Sequence, residues 1–320
     1  MNLVELLLYH CTMNRRKFLQ QSSLSAAVLS IAPSAFAEIK KPNSFRIGFL
    51  SDTHVKPTDI AEQGMRNAFR HVNALKPSVD FIMNGGDSIM DALNASKEKV
   101  QKQWDVWNRV ITAENKLPIY HCIGNHDAWG WQMTDPEVKN DPLYDKKWVM
   151  KEHNMKDPFY SFEHKGWKFI VLDSPHENNG GYIARLDEPQ FAWLENELKQ
   201  TDAATHICIV SHIPIVSFCS AVFADKNEPN GDWRISRALL HVDSRRITDL
   251  FKSYKNIRCC LSGHIHLQDA VEYRGIHYFC NGAVSGDWWN GPFHDFEPAY
   301  AVFEFGKEGS VLRTMINYSA

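Results

Sequence analysis

Beyond its first 37 residues the chain has no apolar run near the ~20 residues that a membrane-spanning helix needs. It has no low-complexity tract and no internal repeat, which sets aside disordered, fibrous and solenoid classes. A surplus of basic charge is also missing. There are 35 Lys and Arg against 38 Asp and Glu, for a net charge of −3. Removing residues 1–37 takes away three basic residues and one acidic residue, leaving −5. A duplex nucleic-acid binder would normally carry a basic face, so this balance speaks against one. The seven cysteines never fall at zinc-finger spacing. Cys122, Cys208, Cys259, Cys260 and Cys280 lie in apolar stretches and read as small core residues rather than disulfide partners. Cys219 follows His212 and could approach a site there.

What remains is ordinary globular composition, 44% hydrophobic and 23% charged over 320 residues. That length suits one large α/β domain or two small ones. The first 37 residues read as an export signal rather than fold. Asn14-Arg15-Arg16-Lys17-Phe18-Leu19 has a twin-arginine pattern, followed by LSAAVLSIA (24–32) and a small-x-small site at Ala35-Phe36-Ala37. Met13 is then the expected start, with Cys11 upstream of it. The expectation is a precursor that engages the twin-arginine export machinery, becoming periplasmic or secreted. The alternative is an N-terminal membrane anchor, and the shortness of the apolar stretch argues against it.

Five apolar stretches end in potential metal ligands: FRIGFLSD (45–52), DFIMNGGD (80–87), PIYHCIGN (118–125), HICIVSH (206–212) and IRCCLSGH (257–264). The ligands are Asp52, His54, Asp87, Asn125, His212, His264 and His266. In α/β sheets the loops past the carboxyl ends of the strands converge, so these groups can meet and hold two divalent cations. A single Asp-x-His or His-x-His pair is weak evidence. An ordered series after successive strands is not. Between them lie helical patterns at 59–76, 97–115, 187–200 and 245–254, a long insert at 128–157 carrying Trp129, Trp131 and Trp148, and a hairpin at 159–174 turning at Lys165-Gly166. The last strands, after residue 255, suggest a second sheet of C-terminal strands.

These motifs, Asp52-Thr53-His54, Gly86-Asp87, Gly124-Asn125-His126-Asp127, Ser211-His212 and Gly263-His264-Ile265-His266, resemble those of the calcineurin-like metallophosphoesterase superfamily. The resemblance spans residues 52–266 with no ligand substituted. It implies a single domain over 38–320, folded as a four-layer α/β/β/α sandwich with two mixed sheets. It implies one metal on Asp52, His54 and His266, a second on Asn125, His212 and His264, and Asp87 bridging. It also puts His126 at the catalytic histidine position. Imidazole-rich ligands suit iron, manganese or zinc. Purple acid phosphatases of the same superfamily have a tyrosine three residues after the bridging Asp, and Met90 stands here instead. That departure argues against an iron–tyrosinate site.

Two cations about 3.5–4 Å apart would neutralise phosphoryl charge and turn a bridging water into hydroxide, the expected nucleophile. His126, next to a ligand, is expected to protonate the leaving oxygen, with Asp127 orienting it unless Asp127 caps a helix. Trp288 and Trp289 could stack on substrate or pack inside, and adjacent residues point apart, so one doing each is the expectation. Arg234 and Arg237 could contact phosphate. The expected substrate is a small phosphoester. The motif series resembles the cyclic-nucleotide phosphodiesterase branch, which favours a diester. A phosphomonoesterase, or a non-catalytic metal-stabilised envelope module, are the alternatives.

Overall fold

The computed structural model describes residues 44–222 and 229–318. The export-signal reading over residues 1–37, with Met13 and Cys11, lies outside the described residues.

Alternation dictates the inner layers. In β1 (Phe45–Leu50), Phe45, Ile47 and Phe49 turn to one face, while Gly48 and Leu50 turn to the other. β1 pairs in parallel with β2 (Phe81–Asn84), which pairs in parallel with β3 (Ile119–His121). The outer face of this sheet is covered by α1 (Asp59–Ala74) and α2 (Lys97–Glu114), through Met65, Phe69, Val72, Trp104 and Trp107. α1 carries Asp59 and Glu62 in its first turn, where acidic side chains complement the helix dipole. It ends ahead of Pro77, two residues sooner than its apolar pattern. Ile60, an apolar-pattern position of α1, is exposed.

The insert at 128–157 is not an open loop. It folds into α3 (Pro136–Lys139) and α4 (Lys147–Glu152), and Trp129, Trp131 and Trp148 are buried. Trp129 and Trp148 pack edge to face at 5.3 Å in the α1/α2 layer.

The hairpin β4 (Tyr160–His164) and β5 (Trp167–Leu172) turns at Lys165-Gly166 as expected, and β6 (Pro175–Glu177) pairs with β7 (Tyr182–Ala184). Then come α5 (Glu188–Gln200), capped by the Asp187 side chain, β8 (His206–Ser211), α6 (Cys219–Val222), α7 (Ser244–Phe251) and β9 (Ile257–Ser262). The chain closes with β10 (Gln268–Tyr273), β11 (Ile276–Asn281), β12 (Ala299–Phe305) and β13 (Val311–Asn317).

The C-terminal strands do not make a sheet of their own. They split between two sheets, ordered β13-β12-β1-β2-β3 and β10-β11-β9-β8-β5-β4. β10 and β11 follow β9 by short links and extend its sheet. The stretch 282–298 then carries the chain across, and β12 runs antiparallel along β1 with Phe45 opposite Phe305. Strand period identifies each strand but not its neighbour. The two sheets face each other across Phe49, Phe81, Phe169, Val210, Leu261 and Phe303, while α5 and α7 cover the second sheet's far face. This is the four-layer α/β/β/α sandwich. Truncating a core aromatic such as Phe169 to alanine would cost about 3–5 kcal/mol. Among the described residues no helix is long and apolar enough to cross a membrane.

Candidate metal centre

The seven candidate ligands all lie just past strand ends, in turns that are held in unusual shapes. Asp52 (φ 56°), His54 (44°), Asp87 (54°), His264 (71°) and His266 (61°) are all in the left-handed region. Non-glycine residues rarely adopt it, and its clustering is characteristic of functional sites. Neighbouring backbone holds these turns. Asp52 N–H donates to Gly86 O (3.0 Å) and His54 N–H to Asp87 O (2.9 Å). Ser285 donates from N and Oγ to Asp52 O, and the Trp289 indole donates to His54 O at 3.0 Å. Gly86 has φ 99°, and a Cβ there would meet the His212 ring. A Cβ on Gly263 would overlap Ser51 Oγ and the Asp52 carboxylate.

The structure brings all seven side chains together. Six are buried and His264 is half-buried. Three imidazoles spend their outer nitrogen on a backbone carbonyl: His212 Nδ1 on Gly85 O (2.9 Å), His264 Nε2 on Ala238 O (2.9 Å) and His266 Nδ1 on Gly286 O (2.7 Å). A carbonyl can only accept, so those nitrogens carry the proton and the inner nitrogens present lone pairs. The inner nitrogens face other acceptors. His212 Nε2 lies 3.2 Å from His264 Nδ1, 3.2 Å from Asn125 Oδ1 and 3.1 Å from Asp87 Oδ2. His54 Nε2 lies 3.1 Å from His266 Nε2 and 3.6 Å from Asp87 Oδ2, and Asp52 Oδ1 is 3.6 Å from His266 Nε2. Acceptors converging on acceptors fit cations. They fall into two groups, Asp52/His54/His266 and Asp87/His212/His264, with Asn125 beside the second and Asp87 close to both, and a third, overlapping group joins His54 and Asp87 to His126. Donor types and grouping therefore suit two borderline transition-metal ions.

Electrostatics favour the neutral form of three of the four imidazoles, while the Asp87 carboxylate opposes it at His212. Burial pushes His264 down to about 3 and also lowers His54 and His266. Burial opposes charge on His212 too, but the Asp87 carboxylate overrides it and raises His212 to about 9. Burial raises Asp52, whereas His212 and His126 hold Asp87 well below the carboxylate range despite its burial.

His126 is half-buried at the rim of the site, its ring edge-on to His54 at 4.9 Å, and its backbone N–H donates to Asp87 Oδ1 at 2.8 Å. Asp127 does not orient it, and Asp127 caps no helix. The Asp127 carboxylate turns the other way and accepts four backbone N–H groups: Gly124 (3.0 Å), Asp87 (2.9 Å), Ser88 (2.8 Å) and Ile89 (3.3 Å). The carboxylate beside His126 is Asp91, whose Oδ1 is 3.7 Å from Nδ1. Gln103 fixes Asp91 by bonding both its N–H and its carbonyl.

Over the cluster lies a cavity of about 130 Å³ lined by His54, Asp87, His126, Tyr182, Leu239, His264, Ile265, His266, Trp288 and Phe293. The two adjacent tryptophans lie apart. Trp288 lines the cavity, 4.7 Å from the His266 ring, whereas Trp289 is buried against Gly64 of α1. Arg234 and Arg237 are exposed and do not line the cavity. Cys219 packs with Ile265, Leu267 and Cys280 behind the wall, and the six described cysteines are free and buried. Asp91, Tyr182 and Phe293 carried no recognisable motif in the sequence.

A four-layer sandwich with histidines and carboxylates converging past its strand ends defines a metal-dependent hydrolase class of architecture. The calcineurin-like phosphoesterase family model matches residues 45–268, and the chain belongs to that family. It is thereby a phosphoric ester hydrolase of a dinuclear-metal family. It is 22% identical to serine/threonine-protein phosphatase CPPED1 of Pongo abelii over 231 residues, 71% of this chain and 67% of that protein. It is 21% identical to a probable glycerophosphodiester phosphodiesterase GpdQ of Arcobacter nitrofigilis, over 68% of this chain and 70% of that one. A dimetal phosphatase of Danio rerio shares the fold with a TM-score of 0.58 at 16% identity, covering 86% of this chain and 99% of that one.

Proposed function

We propose that the chain hydrolyses phosphodiesters with two transition-metal ions, iron, manganese or zinc, held by Asp52, His54 and His266 on one side and Asn125, His212 and His264 on the other, with Asp87 between. The observation that carries this reading is the set of inner nitrogens of His212, His264 and His266, which lie 3.1–3.2 Å from other ligand atoms while their outer nitrogens are committed to carbonyls. Cations there would neutralise phosphoryl charge and acidify water. The chain's own residues do the rest. Among the described residues no Ser, Thr or Cys lines the cavity, and water is the nucleophile in this reading, with no covalent enzyme intermediate. His126 is the proton donor to the leaving oxygen. Its Nδ1 faces Asp91, which leaves Nε2 for transfer. A single in-line displacement inverts configuration at phosphorus. Tyr182, Leu239 and Phe293 restrict the water around the reacting group.

Relatives named as phosphodiesterases support the diester reading. The relatives named as phosphatases support phosphomonoester hydrolysis as the second reading. Bis-p-nitrophenyl phosphate and p-nitrophenyl phosphate, assayed with Mn²⁺, rank the two, and hydrolysis of neither by protein carrying two metals per chain would refute both. We further propose that the twin-arginine pattern directs export to the periplasm; a precursor that keeps its size and stays in the cytoplasm would refute this.

A further inference from the structure

We propose that a second cavity, at the edge of β3, is a binding site for a small organic anion, held by the imidazole N–H groups of His121 and His153. It shares no lining residue with the cavity over the candidate ligands. The site stands on its own residues and does not depend on the phosphoesterase reading.

β3 ends its sheet. Its backbone is already closed at His121, where the Tyr160 hydroxyl accepts from the backbone N–H and donates to the carbonyl, both at 2.9 Å. What that edge still offers is a pair of side chains. The His121 and His153 rings stack with centroids 3.8 Å apart and planes 13° apart. Hydrogen bonds on their inner edges fix both tautomers. Gly86 N–H donates to Asn84 Oδ1 at 3.3 Å, so the other end of that amide is the donor. Asn84 Nδ2 donates to Ser88 Oγ (2.8 Å) and His121 Nδ1 (3.2 Å), and Ser88 Oγ donates its own proton to His153 Nε2 at 3.0 Å. Both inner nitrogens are therefore acceptors, and the ring protons sit on His121 Nε2 and His153 Nδ1. Neither outer nitrogen has an acceptor among the described residues, and neither is sealed inside the fold, unlike the Trp104 indole.

The cavity that both rings line has a volume of about 360 Å³, the size of a small-molecule site. Ile119, Tyr120 and Met155 give it an apolar wall, which suits an organic body. Lys156 and Asp157 are exposed at its rim and opposite in charge, so the head group is selected by the two imidazole donors. Burial lowers both imidazoles, which keeps them neutral and leaves each with one N–H to give. Two stacked donors match a head group with two oxygens, and a charged oxygen bonds each N–H about twice as strongly as a neutral carbonyl does. Carboxylates and phosphoryl groups share that chemistry. The network behind the rings also reaches the candidate metal centre. Asn84 holds Gly86, and Ser88, next to Asp87, donates its backbone N–H to Asp127 at 2.8 Å. An occupant that steadies the two rings steadies the Gly86-Asp87-Ser88 turn, so occupancy should tighten metal binding, and metal should tighten the occupant equally.

The test uses the full protein, zinc-loaded and again after chelation, with benzoate and phenylphosphonate as probes. The ring ¹⁵N resonances of His121 and His153 should shift saturably in both forms. Persistence after chelation separates this site from anion binding at the metals. The probe that saturates the pair at lower concentration names the head group, carboxylate or phosphoryl. His121→Phe keeps a stacked ring and removes one N–H, and it should weaken that probe about tenfold or more. Saturating probe should raise zinc affinity, measured against a competing chelator, about fivefold or more in wild type and not in His121→Phe. No saturable shift at the two rings with either probe overturns the site, and wild type alone decides this, whatever His121→Phe does to folding. Equal probe affinity in wild type and a folded His121→Phe protein overturns the role of the imidazole donors. Zinc affinity unmoved by saturating probe overturns the link to the Asp87 turn.

Discussion

Replacing Asp127 with alanine separates a structural anchor from a catalytic partner. Asp127 Oδ1 accepts Ser88 N and Ile89 N, and Oδ2 accepts Asp87 N and Gly124 N, in a fully buried position. Burial and the Asp87 carboxylate push its pKa up to about 7, and those N–H donors oppose the rise. Alanine leaves four buried donors without an acceptor, each worth about 1–3 kcal/mol. Three of the bonds are short and the Ile89 contact is long, and water can re-satisfy part of the space. Destabilisation of about 4 kcal/mol is therefore expected, in the exceptional tail for one substitution. Asp127→Asn keeps one acceptor oxygen and should cost about half as much. The same loops carry Asp87 and Asn125, so metal affinity should fall in parallel. Urea unfolding of the chelated proteins and metal titration by calorimetry read both effects. If Asp127→Ala unfolds at the wild-type midpoint and binds metal normally while only turnover falls, the anchoring argument is wrong and Asp127 works through His126.

His126→Ala should retain two metals per chain and lose roughly 10²–10⁴ in turnover on an ester with a poor leaving group. Asp91→Asn, acting through His126, should lose less and leave metal content unchanged. Gly263→Ala forces a methyl group onto Ser51 and Asp52, so metal titration should show the Asp52 group's ion lost or much weakened. The stacked pair His121 and His153, ring centroids 3.8 Å apart, should make the fold sensitive to acid. Burial pushes His121 down to about 3, and burial followed by His121 holds His153 well below its usual range. The unfolded chain takes up two protons near pH 6.5 that the fold refuses. Their contribution is thus full above about pH 6.5 and declines below it, by about 1.4 kcal/mol per pH unit per histidine. His121→Gln should make the stability–pH curve measurably shallower between pH 6.5 and 4; an unchanged slope would contradict it.

The ligand strands were legible because apolar runs ending in Asp, Asn or His leave few alternatives, and each of β1, β2, β3, β8 and β9 stops just before its ligand. Their sheet partners were not, because the pairing of β12 with β1 joins residues more than 200 positions apart. Asp127 misled for a local reason. Adjacency suggested that it serves His126, but neighbouring residues in a turn point apart, and its carboxylate went to the backbone of the Asp87 loop. By the same geometry Trp288 and Trp289 fall on opposite sides of their loop. Tyr182 reaches the cavity from the β6–β7 hairpin, and nothing in its flanking residues marks that position.

The central claim is that two cations sit among side chains from five strand ends. Anomalous diffraction from crystals of the matured protein, paired with elemental analysis of the same sample, tests it most directly. The account predicts two transition-metal peaks per chain, one among Asp52, His54 and His266 and one among Asn125, His212 and His264, with Asp87 reaching both. No peak there, with protein that still hydrolyses phosphoesters, would contradict it.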